Sequence, residues 1–383
     1  MYFFRIIFAV FLITRFVGTV VALPIGHEAG FLGNTTSRPG DIGAAINFPS
    51  ATAFMNNEET RIYFGLIYTR QDIEIEGAGS KFEGQFIPYF TGFATKLFGI
   101  TFTNFITYSG TNNGQLKFEQ KFVDGIASIQ AEETVMGISA AKKFDKNFAL
   151  GVSLSLDIQS TKSFTSASGT FGGNDYVASI QDVGKYIIGN ARISASFENR
   201  GSFLSASIFF PGVKLSSKAT TDSLILVDGS GINKSTTTTR PDIESNFGLN
   251  FGYSYLNSSW RPSFDIFYDL SSKGLNLEEG SNRTFSFADS YYLKFGLESP
   301  EYQLQSLFKG TSISYLFGLE VSESVEDEIT TDETNRTGQV TFGIKLASKN
   351  TSPIFGLYYQ DQKTDTKASI FGLMYSSNYN IFD

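Results

Sequence analysis

The side chains that carry most enzyme chemistry are nearly missing from this chain of 383 residues, which has one histidine, His27, and no cysteine. A Ser-His-Asp hydrolase needs a histidine base held beside its nucleophile. His27 lies just past an apolar leader, among small residues, and reads as a structural or solvated side chain. Zinc and related chemistry needs cysteine and histidine clusters, so neither a metal site nor a cofactor is predicted. What remains is carboxylate chemistry. The stretch SESVEDEITTDET, from Ser322, holds six acids that could ligate calcium, although a solvated acidic loop is the simpler reading. The expectation is a protein that is not an enzyme. Net charge is −8, from 30 Lys plus Arg against 38 Asp plus Glu. No basic stripe exists, which argues against a nucleic-acid partner.

The elements that must position these residues are strands. Phe and Tyr number 39 and 18, with 37 Gly, a composition that favours an all-β fold. In RTGQVTFGIKLASKN, residues 336 to 350, Val340, Phe342, Ile344 and Leu346 alternate with Gln339, Thr341, Gly343 and Lys345. A period of two means an extended strand whose faces meet different surroundings. The pattern recurs around 148–159, 246–255, 291–298 and 312–321. One face of these strands is wholly aliphatic or aromatic, and the other carries Asp157, Lys294, Glu298, Glu320 and Lys345. Assigning the charged face to hydrocarbon would cost about 2 to 4 kcal/mol for each mid-membrane lysine, so the apolar face is expected to meet lipid and Lys345 a wet lumen.

Three features favour a membrane barrel over a soluble sandwich. The strands run to ten residues or more, enough to cross a bilayer when tilted. Long polar connectors at 109–130, 159–183, 217–242, 271–287 and 322–336 fall on one side, and mostly short turns such as FDKN at 144 and NRG at 199 on the other, as in outer-membrane barrels. Residues 1–22 read as a secretory signal with cleavage after Ala22, a retained anchor being the other reading. Fourteen strands are expected over 61–383, from 61–76 to 368–382. The predicted architecture is therefore an all-β, transmembrane antiparallel β-barrel of about 14 strands, in the bacterial outer membrane. Its expected surroundings are outer-membrane lipid and lipopolysaccharide, and its expected state is a monomer.

A ring of that size is too wide for its own side chains to fill. Residues 23–60 precede the first strand and are rich in small residues. They read as an N-terminal lumenal plug, or hatch, with a disordered tail as the alternative. The run GDIGAAINFPSATAFMNNEETRIYFGLIYTRQDIEIEG resembles the amino-terminal region of the FadL family, the outer-membrane transporters of long-chain fatty acids, toluene and other hydrophobic compounds. ETVMGISAAKKFDKNFALGVSLSLD, from Glu133, is similar to the family's paired strands about a short turn. The family carries an Asn-Pro-Ala sequence in its hatch. Asn47, Pro49 and Ala51 correspond here, spaced out as Asn-Phe-Pro-Ser-Ala. The resemblance implies a fourteen-stranded barrel, a hatch and passive uptake of hydrophobic molecules. A surface receptor or structural barrel, and a general diffusion porin, are the competing functions.

Uptake of an apolar solute requires apolar side chains displayed outside and an apolar route within. Leu224, Ile225, Leu226 and Val227 interrupt a polar connector and are the candidate capture site, with a loop folding over its own small core as the alternative. Asn104 breaks the lipid-facing series Phe98, Ile100, Phe102, Ile106 and Tyr108, and a polar amide there is costly unless paired or wet. The resemblance implies a lateral opening at the third strand, so Asn104 is a candidate for its edge, a position near the outer interface being the other reading. Pro88 and Pro211 signal bends or lost ladder bonds, and each is a further candidate for a wall opening. The chain ends Ile381-Phe382-Asp383, where the family places an aromatic residue last.

Overall fold

A computed structural model describes residues 26–381 except 57–59, 76–77, 83–85, 111–113, 121–122, 172–173, 228–230, 240–246, 258, 271, 274–285, 305–309, 328–333 and 364–365. The predicted leader, the terminal Phe382 and the centre of the acidic stretch lie outside the described residues.

Fourteen strands build the wall. They are β1 (Thr60–Ile75), β2 (Phe86–Leu97), β3 (Ile100–Gly110), β4 (Val123–Lys143), β5 (Phe148–Phe171), β6 (Asn174–Asn199) and β7 (Ser202–Val227). The second half comprises β8 (Phe247–Tyr255), β9 (Arg261–Leu270), β10 (Ser286–Glu298), β11 (Ser312–Asp327), β12 (Thr334–Ala347), β13 (Ile354–Lys363) and β14 (Thr366–Asn380). Each pairs antiparallel with the next, and β1 closes the ring on β14 from Arg61↔Asn380 to Ile75↔Thr366. Closure leaves no sheet edge in lipid. Shorter strands extend the ladder beyond the wall, among them Ala78–Phe82 on β1 and Gly231–Thr239 on β7.

Alternation decides which face is which. On β12, Val340 is 52% exposed on the outer surface, whereas Gln339, Thr341 and Lys345 are buried inside. Phe317, Leu319, Phe295 and Leu293 likewise point outward. The apolar face is therefore the outer one, as expected. One end of the barrel has tight turns. Arg200 and Gly201 both take positive φ, at 49° and 84°, which is the type I′ geometry whose twist suits a two-residue hairpin. At the next turn Asp145 Oδ1 accepts from the amides of Asn147 and Phe148, each at 2.7 Å.

The other end departs from expectation. β4 to β7 contain 21, 24, 26 and 26 residues, so most of the predicted connectors 109–130, 159–183 and 217–242 are strand. At roughly 3.3 Å per residue the longest are on the order of 85 Å, far more than a bilayer needs. These extensions are rich in serine and threonine on both faces. With no lipid to demand an apolar side, they lose the alternation by which strands were recognised, while the β-branched threonines still favour extended backbone.

A charge on the outer face tests the assignment. Val340→Lys should destabilise the barrel in lipid vesicles by about 2 to 4 kcal/mol, read as a lower denaturant midpoint for loss of the heat-modifiable folded band. A midpoint equal to wild type would put the lipid on the other face.

Candidate functional site

Residues 26–56 lie inside the ring. Their backbone turns repeatedly, through Ala29–Phe31, Ala44–Asn47 and Pro49–Phe54, and small side chains let successive turns pack closely. Phe31, Leu32, Ile42 and Phe48 are buried against the inner wall. The wall makes room where it lacks side chains: a methyl group at Gly318 would fall on the backbone of Leu32 and Gly33, and one at Gly151 on the backbone of Pro49 and Ser50.

Polar bonds tie this hatch to strands around the ring. Thr36 N donates to Asp265 Oδ2 at 2.5 Å, Asn34 Nδ2 to Glu320 Oε2 at 2.7 Å, and Ser50 N to Ser194 Oγ at 2.7 Å. Lys96 Nζ on β2 donates to the carbonyls of Ala53 and Met55. His27 is enclosed between the hydroxyls of Ser376 and Ser352, at 2.8 and 3.1 Å, with its ring edge-on to Tyr63.

The structure brings Asn47, Pro49 and Ala51 together as the braces of one bend. Asn47 Nδ2 donates to Thr36 Oγ1 at 3.2 Å, and its Oδ1 accepts from Arg192 Nη1 at 2.8 Å. Arg192 also donates to the Ile46 carbonyl. Pro49 opens the following turn, where its fixed φ suits a first helical position. The Ala51 carbonyl accepts from Gly40 N at 3.0 Å.

At the tight-turn end a charge cluster joins hatch to wall. Lys345 Nζ lies 2.6 Å from Glu28 Oε1 and 3.2 Å from Glu298 Oε1. Arg38 pairs with Glu298 and, at 3.5 Å, with Glu28, while Arg261 approaches Glu298 at 3.7 Å. The Glu298 side chain is wholly shielded from solvent. Lys345 is thus only 8% exposed and belongs to an ion cluster rather than to a wet lumen, a correction to the sequence expectation. The hatch supplies two of the partners and covers most of the lysine. Burial alone would raise the Glu28 carboxyl, but Lys345 and Arg38 outweigh it and hold that carboxyl well below its usual range. Burial, with Glu28 nearby, pushes Asp41 up to about 6. Burial pushes His27 down to about 4.

The capture residues stand differently from expectation. Leu224 to Val227 form the end of β7, paired with β6 through Leu226↔Val177 and with the short strand Gly231–Thr239 through Leu226↔Ile232. They are strand, not free loop, because their neighbours supply a ladder on both sides. Ile225 and Leu226 remain 36% and 40% exposed. Asn104 is exposed on the outer face, opposite Phe93 and Ile138. It borders an outer-wall groove of about 940 Å³ whose lining includes Phe93, Ile106, Met136, Ile138, Leu154 and Val213. Pro88 sits at a register shift, where Gly65 opposes Phe90 and Leu66 opposes Pro88. That shift is five positions from Phe93, the partner of Asn104, so Asn104 and Pro88 do not mark one point. The groove instead reaches the disrupted ladder of β6 and β7, where Gly189 opposes Val213 and Ala191 opposes Phe210, leaving Pro211 between them.

No family model and no curated protein matches the sequence. Solved structures do resemble it. The toluene transporter TodX of Pseudomonas putida superposes with a TM-score of 0.64 at 11% identity, covering 94% of this chain and 100% of that one. The toluene transporter TbuX of Ralstonia pickettii gives 0.62 at 14%, covering 95% and 100%. A FadL homologue of Pseudomonas aeruginosa gives 0.63 at 10%, covering 94% and 100%. The chain has the fold of these FadL-type barrels.

Within that fold, the hatch positions anticipated from sequence are bracing residues, and the residues that fasten them were not singled out. Arg38, Glu28 and Arg192 carried no periodic signal. The available clue was electrostatic: an inward face with buried charges implies opposite charges in whatever fills the interior. Among the described residues, no group of three or more His, Asp or Glu gathers to hold a metal ion.

Two outcomes follow for the hatch. Arg38→Met leaves Glu298 and Glu28 with less compensation and should cost about 3 to 5 kcal/mol of docking, seen as faster protease cleavage within 26–56 while the barrel keeps its heat-modifiable mobility. Unchanged cleavage would remove the ion cluster as the fastening. Acid acts on two groups in opposite senses. Undocked His27 takes up a proton below about 6.5 and docked His27 only below about 4, so lowering pH from 7 to 5 weakens docking by about 2 kcal/mol. Docked Asp41 holds its proton up to about 6 and undocked Asp41 only near 3.8, so the same change strengthens docking by about 1 kcal/mol. Cleavage of Asp41→Asn should therefore accelerate on acidification, and that of His27→Asn should slow. Parallel responses in the two variants would refute the assignment.

Proposed function

We propose that this protein is an outer-membrane channel for passive uptake of hydrophobic compounds such as long-chain fatty acids. The observation that carries the reading is a membrane barrel whose interior is occupied by an ion-paired hatch. That interior suits neither a general porin, which conducts through an open aqueous lumen, nor a barrel serving only as a scaffold. Support comes also from the TodX and TbuX structures, described as toluene transporters.

The proposed route begins at the end of β7. Ile225 and Leu226 there display apolar surface on a sheet that stands clear of the bilayer, where a greasy solute gains by leaving water. The exit is the outer-wall groove beside Asn104. Its floor includes Gly92, Gly137 and Gly189, with the side chains of Ile42 and Phe105 packed behind the first two, and the broken ladder at Pro211 leaves fewer bonds to part. Solutes crossing at this point would enter lipid directly and avoid the charged tight-turn end.

Cells lacking other uptake routes should gain transport of labelled oleate on expressing the intact chain. Leu224→Asp with Leu226→Asp should reduce that gain several-fold at equal surface expression. The chain has no cysteine, so a thiol introduced as Met136→Cys can be blocked alone. A bulky maleimide at that site should abolish uptake if the groove is the exit. Uptake of polar sugars in place of oleate would favour a porin instead, and no uptake of either a receptor or scaffold.

A further inference from the structure

The outward face of β5, β6 and β7 changes chemistry within one rung. Ile158 opposes Ile187 at the end of the continuous apolar band, and apolar pairs such as Val177↔Leu226 recur only farther out. The next outward rung runs Ser160↔Lys185 and Lys185↔Lys218. Lys162, paired with Val183, lies diagonal to Lys185. All three lysines are exposed, one from each of three neighbouring strands. Directly opposed residues have Cβ atoms about 5 Å apart, and like charges so placed are destabilising.

Two carboxylates on this face lie within four positions of the lysine rung, and Asp175 lies ten positions beyond Lys185 at the strand tip. Glu132 opposes Ser160 from β4 and accepts from Gln130 Nε2 at 2.6 Å. Asp222, farther along β7 than Lys218, accepts from Thr236 Oγ1 at 2.6 Å. Among the described residues no ion pair neutralises Lys162, Lys185 or Lys218. The cluster is therefore a concentration of positive charge on a chain of net charge −8. Its height is defined by register, because Tyr108 and Thr134 continue the Ile158 rung, and tyrosines mark the interfacial girdle of such barrels. Below it, Leu154, Leu156 and Val213 line the β5–β7 end of the apolar groove.

We propose that Lys162, Lys185 and Lys218 form a docking site for the phosphates of an outer-leaflet phosphorylated lipid, whose acyl chains lie along the apolar face beneath. Phosphate relieves the repulsion that the strand register imposes, and apolar surface directly below the cations is what a lipid offers and a free anion lacks. The inference rests on the outer-membrane reading but not on transport.

The test uses the full chain purified in dodecyl maltoside, with bis-phosphorylated lipid A as the probe and native mass spectrometry as the readout. A cationic side chain near an anionic lipid surface is worth about fivefold in binding, so Lys162→Gln, Lys185→Gln and Lys218→Gln together should weaken retention on the order of 100-fold. Lipid A stripped of its phosphates should bind wild type and variant alike, at the weak level. Inorganic phosphate should not displace the lipid at matched concentration. Because the substitutions remove repulsion, the lipid-free variant should unfold no more readily than wild type, which separates lost binding from lost folding. Equal retention of lipid A by both proteins overturns the site, and displacement by inorganic phosphate reassigns it to a free anion. Absence of the chain from outer-membrane fractions would instead fail the localisation, while the detergent measurement still judges the lysines.

Discussion

The Glu298 carboxylate lies where wall and interior meet, and it cannot remain ionised there alone. Removing a charge from water costs several kcal/mol even after relaxation, and no solvent reaches this side chain. Its compensation is divided between two parts of the molecule. The wall contributes Lys345 and Arg261, and the hatch contributes Arg38 together with Glu28, which balances the second lysine contact. Neither part is electrostatically complete without the other. The hatch is thus registered by charge as well as by fit, because a shift along the lumen would strand buried charges that apolar packing alone would tolerate. Gly318 and Gly151 act in the same sense, since they admit the hatch backbone at two heights on separated strands.

The wall was legible in the sequence because lipid enforces a rule that repeats every second residue. Val340 and Phe342 announce their orientation without knowledge of any partner. The rule applies only within the bilayer, so alternation marks β4 to β7 where they cross it and lapses where they continue beyond it. Leu224 to Val227 lie past that limit and so read as loop from the sequence, although they are strand. The hatch illustrates the other limit. Lys345 was read correctly as inward, but its surroundings depend on Glu28, more than three hundred residues earlier, and no periodicity links the two. Asn47 was found through its resemblance to a family motif. Arg192, which holds Asn47 in place, stands in a strand pattern that gave no reason to choose it.

A filled interior sets the terms of any passage. An apolar solute that descended the full length of the barrel would reach a polar cavity at the tight-turn end, lined in part by His27, Glu28, Arg38, Asp41, Arg261 and Lys345. Entering it would mean desolvating charges that the hatch now satisfies, and the solute offers no replacement for them. Parting the wall asks less. Between β6 and β7 the ladder already shifts register twice, at Ile187/Ile188 and at Gly189/Ala191, and Pro211 has no amide to lose. The surroundings beyond that point are hydrocarbon, to which the solute transfers at no hydrophobic cost. On the proposed path, therefore, the ion cluster and the broken ladder are complementary: the first closes the aqueous end firmly, and the second leaves the lipid side as the direction of least resistance.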